Sequence, residues 1–552
     1  MCRMKKNGIL VLILLFGFAL RIYGINWDQG YHLHPDERFL TMVANAEKLP
    51  TSWFDYFIPS RSSLNPYNVG YGFFVYGTFP LTLAKIVAVF LGFDTYADFT
   101  IFGRLLSALF DTLVIVMIYK IAELFEKKRG FDIRLKYFAS FLYAIAVLPI
   151  QLSHFFAVDT FLNFFMIASF YWSLKLYYSF QTKLLKNSVV YILLSAFFFG
   201  CALGTKITAL FILPLILFFH GFWYIRKKQW AKIFLIFFSF TAITYLTLRF
   251  TDPKSFASGN ILNPTLNPQF VQNLKELSRF SRKNVWYPPA VQWFSKTPIL
   301  FPLQNIIFFG VGLPYFLFVT IGSYYFIKEK KGGFVVIGVW MVIFFLYQST
   351  RFAATMRYFI FLYPLFAIFA AFGLVKILRR LQFKLWRLIV LLLVLIWPVS
   401  FMSIYSKKHS RIIASEWIEN NISKTAFLAE EHWDDFLPVD GGYEGVQMPV
   451  FDPDTPEKWK TINEILAKAD YYVITSNRGY GSMMKASARY PRMSQLYANL
   501  FEGKTAFQKV AEFTSYPTLD FGFAQLKLND DWAEEAFTVY DHPKVIIFQK
   551  VK

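Results

Sequence analysis

Long apolar runs recur through the first 404 residues of this 552-residue chain and restrict the solvent in which it can fold. Ile9–Leu20, Ile192–Phe219 and Leu388–Pro398 carry few charges and lack the alternation of a half-buried strand. Apolar residues make up 56% of the chain and charged residues only 17%, with a mean hydropathy of +0.40. A soluble core cannot bury that much apolar surface, so the sequence indicates a multi-spanning membrane protein.

The distribution of basic residues predicts how the spans are oriented. About eleven candidate spans lie near residues 8–25, 101–123, 137–152, 159–180, 188–203, 206–223, 232–250, 303–327, 333–348, 358–376 and 386–404. With a cytoplasmic amino terminus, all basic clusters fall in the cytoplasm, as the positive-inside rule requires; they lie at Arg3–Lys6, Lys127–Arg129, Lys183–Lys186, Arg226–Lys228, Lys328–Lys331 and Lys376–Arg387. The carboxy-terminal part is then extracytoplasmic, and we expect the chain in the cell membrane.

The apolar stretch 71–93 is the one ambiguous segment of this topology. Counting it as a span would export the clusters at Lys127 and Arg226, so we interpret it as juxtamembrane or re-entrant. A tilted span is the alternative, since Gly72 and Pro80 do not forbid one.

The predicted fold class is an all-α polytopic membrane domain over residues 1–404, with juxtamembrane helices, followed by a soluble α/β or α+β domain over 405–552. Two outward loops, 26–100 and 251–302, are long enough to carry chemistry. In the tail, 471–475 and 544–548 are typical of buried strands and 461–469 of a helix. The tail carries a net charge of −4 and the rest +25, so the basic excess lies between spans and gives no indication of nucleic-acid binding.

Motifs of soluble enzymes are weak in this chain. Asp452-Pro453-Asp454 is a literal Asp-x-Asp metal motif, but its central proline and the neighbouring Pro449 and Pro456 favour a turn. Cys2 and Cys201 offer neither a disulfide framework nor a metal box.

The strongest local signal is the run His34-Pro35-Asp36-Glu37, directly after the first span. One interpretation is structural, with Asp36 capping the helix that Glu37 begins. The functional interpretation is that Asp36 acts as general base on an acceptor hydroxyl, with Glu37 as its charge or hydrogen-bond partner and His34 near the substrate. A metal site at this tripeptide is the weaker prediction, because hard cations need more oxygen ligands.

A second cluster, His154 to Asp159, lies in a short outward turn between two predicted spans. Its structural interpretation is a helix cap by Asp159 and an interfacial histidine. The functional interpretation brings both side chains beside Asp36, because ionisable groups at this depth need a polar site.

Cations at the outer face are candidates for binding a leaving phosphate, which needs positive charge where negative charge accumulates. Arg351 and Arg357 share an outward turn and are the preferred ligands, with Tyr358 next to Arg357. Lys206 is a further phosphate-binding candidate, for which a snorkelling side chain is the alternative. Arg104 is a further substrate-binding candidate, although an intramembrane ion pair with Asp111 would also explain it. Trp286 and Tyr287 in the second loop are expected either to stack on sugar rings or to anchor at the interface.

At His34-Pro35-Asp36-Glu37 the chain resembles the C-type glycosyltransferases (GT-C), specifically the protein O-mannosyltransferase and aminoarabinose-transferase group. The likeness continues over most of the chain, at Gly103–Ser107 with Asp111, His154–Phe165, Gly204–Lys206, and Met356–Tyr358 with Tyr363 and Pro364. It departs where the aminoarabinose branch has Lys-Pro-Pro and this chain has Asn65-Pro66-Tyr67, so a phosphate-binding lysine does not carry over.

The resemblance implies an inverting transfer of a sugar from dolichyl or undecaprenyl phosphate on the non-cytoplasmic side. It implies Asp36 as base, Glu37 and Asp159 as supporting acids, and Arg357 with Tyr358 near the carrier phosphate. No cofactor is expected, although a divalent metal is compatible, and protein, lipid and glycan acceptors all stay open. A transporter or flippase for a lipid-linked or glycan substrate is the alternative; it predicts inverted repeats, and the sequence shows no internal repeat.

Overall fold

The computed structural model describes residues 2–129, 134–181, 187–283, 286–329, 333–433, 437–439 and 442–551. Up to Met402 it is helical. The helices are α1 Cys2–Ile22, α2 Pro35–Ala46, α3 Trp53–Tyr56, α4 Phe79–Leu91, α5 Tyr96–Arg129, α6 Leu135–Ala144, α7 Val147–Ser153, α8 Val158–Gln181, α9 Ser188–Leu203, α10 Leu213–Arg226, α11 Trp230–Thr251, α12 Pro268–Phe280, α13 Leu300–Asn305, α14 Leu313–Lys328, α15 Gly333–Thr350, α16 Tyr363–Arg380 and α17 Lys384–Met402.

Every predicted span coincides with a helix or with a bent helix pair. Within the described residues, 5 helices are long and apolar enough to cross a membrane by themselves, or up to 7 when each bent pair counts as one span. The bent pairs are α6 with α7, at 53°, and the segment Leu300–Gly310 with α14, at 114°. The predicted all-α membrane domain is confirmed, while the count of about eleven crossings stays a prediction.

Helix α4 lies in the ambiguous stretch 71–93 and has only 13 residues. At 1.5 Å per residue it measures about 20 Å, against about 30 Å for the hydrocarbon core. Its length therefore favours the juxtamembrane interpretation.

Asp111 and Arg21 form a fully buried ion pair between two helices of the helical part. Asp111 of α5 accepts hydrogen bonds from Arg21 Nε of α1 at 2.7 Å and from the Tyr143 hydroxyl at 2.6 Å. The alternative explanation of Arg104, an ion pair with Asp111, is therefore wrong. A spacing of seven residues, or two helical turns, could not show that Arg21 from another helix is the partner of Asp111. A buried carboxylate needs such partners, because lipid offers none.

Helices α14 and α16 approach closely at two glycines. A Cβ on Gly322 would lie 1.9 Å from the carbonyl oxygen of Phe369, and one on Gly373 would lie 2.3 Å from that of Phe318. Small residues at such crossings let helix backbones pack directly, which is the main source of helix association in lipid.

The carboxy-terminal domain contains helices α18 Ser410–Asn421, α19 Pro456–Lys468, α20 Arg478–Met483, α21 Pro491–Phe501 and α22 Glu535–Thr538, with strands β1 Phe427–Glu431, β2 Glu444–Met448, β3 Tyr471–Ile474, β4 Phe507–Phe513, β5 Thr518–Asp520, β6 Gln525–Lys527 and β7 Val545–Lys550. One sheet has the order β2-β1-β3-β7-β4, in which β1 is parallel to β2 and β3, and β7 is antiparallel to β3 and β4. The predicted small α/β or α+β domain is confirmed; its boundary at residue 404 stays a prediction.

This sheet is buried on both faces because its central strands alternate between two apolar cores. Ile546 and Phe548 of β7 pack in one core, and Val545 and Ile547 pack in the other. The turn predicted at Asp452-Pro453-Asp454 also forms: Asp454 accepts hydrogen bonds from Lys458 and from the backbone of Arg492, so its carboxylate is used within the domain.

The carboxy-terminal domain packs directly on the helices. Gln151 of α7 donates to the Phe537 carbonyl at 2.7 Å, and the Tyr405 hydroxyl donates to Asp541 at 2.8 Å. Phe537 is fully buried in the same apolar core as the helices. This contact places the domain over the ends of α7 and α17.

Candidate active site

A cavity of about 620 Å³ lies between the first long loop, the 3₁₀ helix Met356–Leu362 and the carboxy-terminal domain. It is a partly open, partly polar space of a size in which a small substrate can be held. Its lining includes His34, Asp36, Phe39, Tyr76, Tyr287, Trp293, Arg357, Tyr358, His432, Trp433, Arg478, Glu534, Glu535 and Tyr540.

Asp36 reaches the cavity because of the way α2 begins. The helix starts at Pro35, whose fixed φ suits the first helical position. His34 is the cap, and its Nδ1 accepts a hydrogen bond from the Glu37 backbone N–H at 3.2 Å. The alternative prediction that Asp36 caps this helix is wrong, because a neutral imidazole takes that position. Burial lowers the pKa of His34 to about 4, which keeps the Nδ1 lone pair available near pH 7.

Asp36 forms an ion pair with Arg357, whose Nη1 lies 2.7 Å from Asp36 Oδ2. The two residues are 321 positions apart, and their side chains keep 32% and 23% exposure, so both remain accessible from the cavity. Burial by itself would raise the pKa of Asp36, but the Arg357 guanidinium outweighs it and lowers the pKa to about 2. Asp36 is therefore ionised at neutral pH.

A second ion pair lies one residue layer behind the cavity wall. Lys206 Nζ lies 2.9 Å from Asp159 Oδ1, and it also lies 5.6 Å from the ring centroid of Tyr358 and 5.8 Å from that of Tyr76, both of which line the cavity. Helix α8 begins at Val158, so Asp159 lies in its first turn and is not the predicted cap. Asp159 and Lys206 thus lie behind the wall formed by Tyr76 and Tyr358, with Asp159 in the electrostatic field of Arg357. The functional interpretation expected Asp159 and His154 beside Asp36, and the roles assigned to these residues stay predictions.

Glu37 and Arg104 lie outside the cavity, in a buried network. Arg104 binds both Glu37 oxygens, at 2.5 and 2.9 Å, and contacts Asp28 at 2.7 Å. Glu37 also accepts from the Phe156 backbone N–H at 2.7 Å. The predicted contact of Arg104 with substrate does not fit this geometry, because every edge of its guanidinium is already engaged. Both Glu37 oxygens are engaged as well, so Glu37 is not a direct hydrogen-bond partner of Asp36 here. The network instead fixes the start of α2, and hence Asp36, to α5.

Three other predicted site residues also lie away from the cavity. His154 is fully buried, stacks on Tyr405 at 3.7 Å and bonds two backbone carbonyls. Arg351 packs over the ring of Tyr347, 4.4 Å from its centroid, and Trp286 lies under the guanidinium of Arg489 at 3.9 Å. Of the predicted aromatic pair only Tyr287 lines the cavity.

The carboxy-terminal domain contributes a wall that sequence reasoning did not predict. Glu534 accepts hydrogen bonds from the Thr355 hydroxyl at 2.6 Å and from the Met356 backbone N–H at 3.0 Å, directly before Arg357. Burial raises the pKa of Glu534 to about 7, against these two hydrogen bonds, which lower it. The only signal in the sequence was an acidic pair, Glu534 and Glu535, between apolar residues.

Next to Glu534 the wall carries aromatic and paired charged groups. Arg478 Nε binds Glu535 Oε1 at 2.7 Å, and Arg478 also donates to the carbonyl of Trp433. Trp433 has a left-handed φ of 72° and keeps 46% exposure, with its ring 6.0 Å from that of Tyr287. A strained aromatic residue held at a cavity is typical of a binding site.

Within the described residues, no group of three or more His, Cys, Asp or Glu side chains is arranged to hold a metal ion. The site there consists of ion pairs and aromatic rings.

A polytopic helical domain with an acidic first loop at a cavity, covered by a carboxy-terminal domain, agrees with the fold that the resemblance to the C-type glycosyltransferases implies. Comparisons with known proteins confirm the predicted resemblance. Residues 88–251 match the family model of the Dolichyl-phosphate-mannose-protein mannosyltransferases. Among proteins with curated descriptions, none matches the chain.

Two solved structures align with most of this chain. The oligosaccharyltransferase AglB from Archaeoglobus fulgidus, in complex with an inhibitory peptide and a dolichol-phosphate, aligns over 95% of this chain and 74% of its own, with 13% identity and a TM-score of 0.53. ArnT from Cupriavidus metallidurans in the apo state aligns over 98% of both chains, with 13% identity and a TM-score of 0.49. At such identities the AglB match establishes the fold alone.

Proposed function

We propose that this chain is a membrane glycosyltransferase that moves a sugar from a polyprenyl-phosphate carrier to an acceptor, with Asp36 as the general base. The observation that carries this proposal is the Asp36–Arg357 ion pair at the cavity, with Asp159 and Lys206 behind it. The reaction needs a base at the acceptor hydroxyl and a cation at the leaving phosphate, close to the same carbon. Asp36 and Arg357 are 321 positions apart in the chain, and only folding brings them together. The family model over residues 88–251 and the dolichol-phosphate bound to AglB support a lipid-phosphate donor.

The proposed reaction is a single displacement with inversion. Asp36 removes the proton from the acceptor hydroxyl as its oxygen attacks the anomeric carbon, and the bond from that carbon to the carrier phosphate breaks. The phosphate leaves with the bonding electrons, and Arg357 and Lys206 stabilise its additional negative charge. The chemistry needs no redox partner and no covalent enzyme intermediate.

Arg357 has a second effect in this scheme. While it pairs with Asp36, the carboxylate is a weak base, because its pKa is only about 2. A donor phosphate shares the guanidinium and brings a negative charge close to Asp36, and both effects raise the pKa of the carboxyl. Donor binding would therefore activate the base only when the sugar is in place.

The proposed donor also has a lipid tail, which needs an apolar surface close to Arg357. An apolar cavity of about 600 Å³ lies between α14, α15 and α16. Leu362, at the end of the 3₁₀ helix that carries Arg357, is part of its lining. An isoprenoid chain could rest there while its phosphate reaches Arg357. On the opposite wall, Trp433, Tyr287 and Arg478 are the proposed acceptor side, open to protein, lipid or glycan acceptors.

The positive-inside distribution places this cavity on the non-cytoplasmic side, with the amino terminus in the cytoplasm and the chain in the cell membrane. We keep this orientation as part of the proposal.

The test measures release of polyprenyl phosphate by purified protein in detergent. It uses a panel of radiolabelled undecaprenyl- and dolichyl-phosphate sugars, with a membrane extract as the acceptor source. We expect the wild type to consume at least one donor and Asp36→Asn to lose about 10²–10⁴-fold in rate, the usual contribution of a general base. Arg351→Gln is the matched control, because Arg351 lies outside the cavity. Undiminished transfer by Asp36→Asn would refute the assigned base, and no consumption of any donor would refute the proposed function.

A further inference from the structure

The β5–β6 hairpin of the carboxy-terminal domain has an exposed apolar tip. Thr518 pairs with Lys527 and Asp520 with Gln525, and the turn Phe521–Ala524 joins the strands. Gly522 has a φ of +78°, which suits a glycine in a tight turn. The Phe521 N–H donates to the Ala524 carbonyl, so the tip is an ordered turn.

The side chains at this tip are unusually exposed for their type. Phe523 is 92% exposed, Phe521 55% and Leu526 48%. The two phenylalanine rings stack on each other with their centroids 6.2 Å apart, and neither belongs to an apolar core of the described residues. Contiguous exposed aromatic groups of this kind mark an interaction surface.

The path of the chain shows what this tip faces. Ser515 lies beside the carbonyl of Lys408, Lys407 Nζ donates to the carbonyl of Tyr516, and the Thr518 N–H donates to Ser403 Oγ at 2.8 Å. Residues 515–518 therefore run antiparallel to residues 403–408, back toward α17. Because β5 continues in this direction, Phe521 and Phe523 lie closer to the bilayer than Thr518 does.

The other end of the hairpin is tied to the helical domain as well. Leu528 packs against the apolar core of the helices, and the ring of Trp532 lies 4.3 Å from that of Phe309. Val399, near the end of α17, is an exposed apolar residue of the same helix end, 52% exposed. Both ends of the hairpin thus lie at the end of the membrane domain, which orients the tip.

Basic groups flank the apolar tip. Lys407 and Lys527 are both exposed, and Lys527 pairs across the hairpin with Thr518, to which Lys407 is hydrogen-bonded at 2.9 Å. Aromatic side chains at the level of the head groups, next to lysines, are the usual arrangement of a segment that rests in a membrane interface.

We propose that the β5–β6 hairpin inserts Phe521 and Phe523 into the head-group region of the leaflet on its own side of the membrane. The occupant of this surface is phospholipid, with Lys407 and Lys527 facing lipid phosphates. The hairpin thereby gives the carboxy-terminal domain a second attachment to the bilayer, next to its contact with α17. The inference concerns anchoring and does not depend on the proposed glycosyl transfer.

The experiment measures how deeply residue 523 of the full-length protein lies in the bilayer. The protein carries Cys2→Ser and Cys201→Ala, and Phe523→Cys is labelled with an environment-sensitive fluorophore. It is reconstituted as single copies in nanodiscs of phosphatidylethanolamine and phosphatidylglycerol. Replacing a side chain that is 92% exposed leaves the fold intact.

Lys504→Cys is the matched control in the same domain. β4 runs from Phe507 to Phe513 toward Ser515 and the membrane, so Lys504 lies at the end of the domain away from the bilayer. We expect blue-shifted emission at residue 523, quenched at least twofold by lipids with a spin label near the head group, and water-like unquenched emission at residue 504.

Two outcomes would overturn the proposal. One is emission at residue 523 equal to that at residue 504. The other is a blue shift that spin-labelled lipid does not quench, because this result would mean contact with protein.

Discussion

The Arg357 guanidinium interacts with two carboxylates, those of Asp36 and Asp159, and lowers the pKa of Asp36. It holds Asp36 at 2.7 Å and also lies in the field of Asp159. Its backbone is held from the carboxy-terminal domain, because Glu534 binds the N–H of Met356 directly before it. Removal of this guanidinium is therefore expected to affect the proposed base, the proposed phosphate site and their separation at once.

We predict that the Arg357 side chain binds the phosphate group of polyprenyl phosphate. Undecaprenyl phosphate at a hundred times its dissociation constant would stabilise the wild type by about 2.7 kcal/mol. Arg357→Gln should lose most of this stabilisation, because a planar cationic fork that matches phosphate is gone. Thermal unfolding with and without undecaprenyl phosphate measures the effect, and Arg351→Gln should behave as the wild type. Equal stabilisation of Arg357→Gln and wild type would exclude Arg357 as the phosphate ligand.

Helices α14 and α16 pack backbone against backbone at Gly322, with no space for a side chain between them. The contact at Gly322 is with a backbone oxygen, which cannot move away as a side chain can. Any Cβ there must separate the two helices. Helix α16 also follows directly on the 3₁₀ helix Met356–Leu362, so its position bears on Arg357.

We predict that Gly322→Ala destabilises the protein by about 2–3 kcal/mol through this overpacking. Gly338→Ala on α15 is the control, because the nearest atom to its added Cβ is a side-chain carbon 3.9 Å away. Alanine there should be neutral or should stabilise slightly, since it favours helix more than glycine does. Unfolding in mixed micelles measures both variants. A similar loss in the two would show that the close contact is unimportant.

For the whole molecule, the interface between the two domains contains a buried charged cluster. His542 lies 2.5 Å from Asp541 and 3.0 Å from Asp530, and Asp541 also binds Tyr405 and Gln151 of the helical part. Burial by itself would lower the pKa of His542, but the two carboxylates outweigh it and raise the pKa to about 10. The pKa of Asp541 is lowered by the same contact.

The pH dependence of stability follows from the sign of this shift. Because the folded pKa of His542 lies above its unfolded value of about 6.5, its contribution is complete below about pH 6.5 and is lost as the pH rises through about 10. We predict that His542→Gln is less stable than the wild type at pH 6, by about 3 kcal/mol, and that the difference shrinks toward pH 10. Thermal unfolding at four pH values measures it. A difference that stays constant with pH would show that His542 carries no charge in this cluster.

The sequence allowed much of the candidate site to be predicted, although not how its parts are connected. Asp36, Arg357 and Tyr358 line one cavity, and Lys206 pairs with Asp159 behind its wall. The catalytic roles assigned to them stay predictions. Arg104 and Arg21 were both available to Asp111, and spacing along one helix could not show that the partner comes from another. The cap of α2 was missed for a similar reason, since it depends on His34 being buried and neutral.

By itself, the sequence determined the membrane setting, the helical segments and the small mixed domain, because transfer of an apolar run into lipid and the alternation of a strand are properties of neighbouring residues. Only the tertiary structure decided which ion pairs form, including the buried pair of Glu37 with Arg104. It also decided that Glu534, Arg478 and Trp433 form the far wall of the cavity. Those outcomes depend on distances between residues hundreds of positions apart. Such distances are set by the packing of the whole chain and leave no periodic pattern in it.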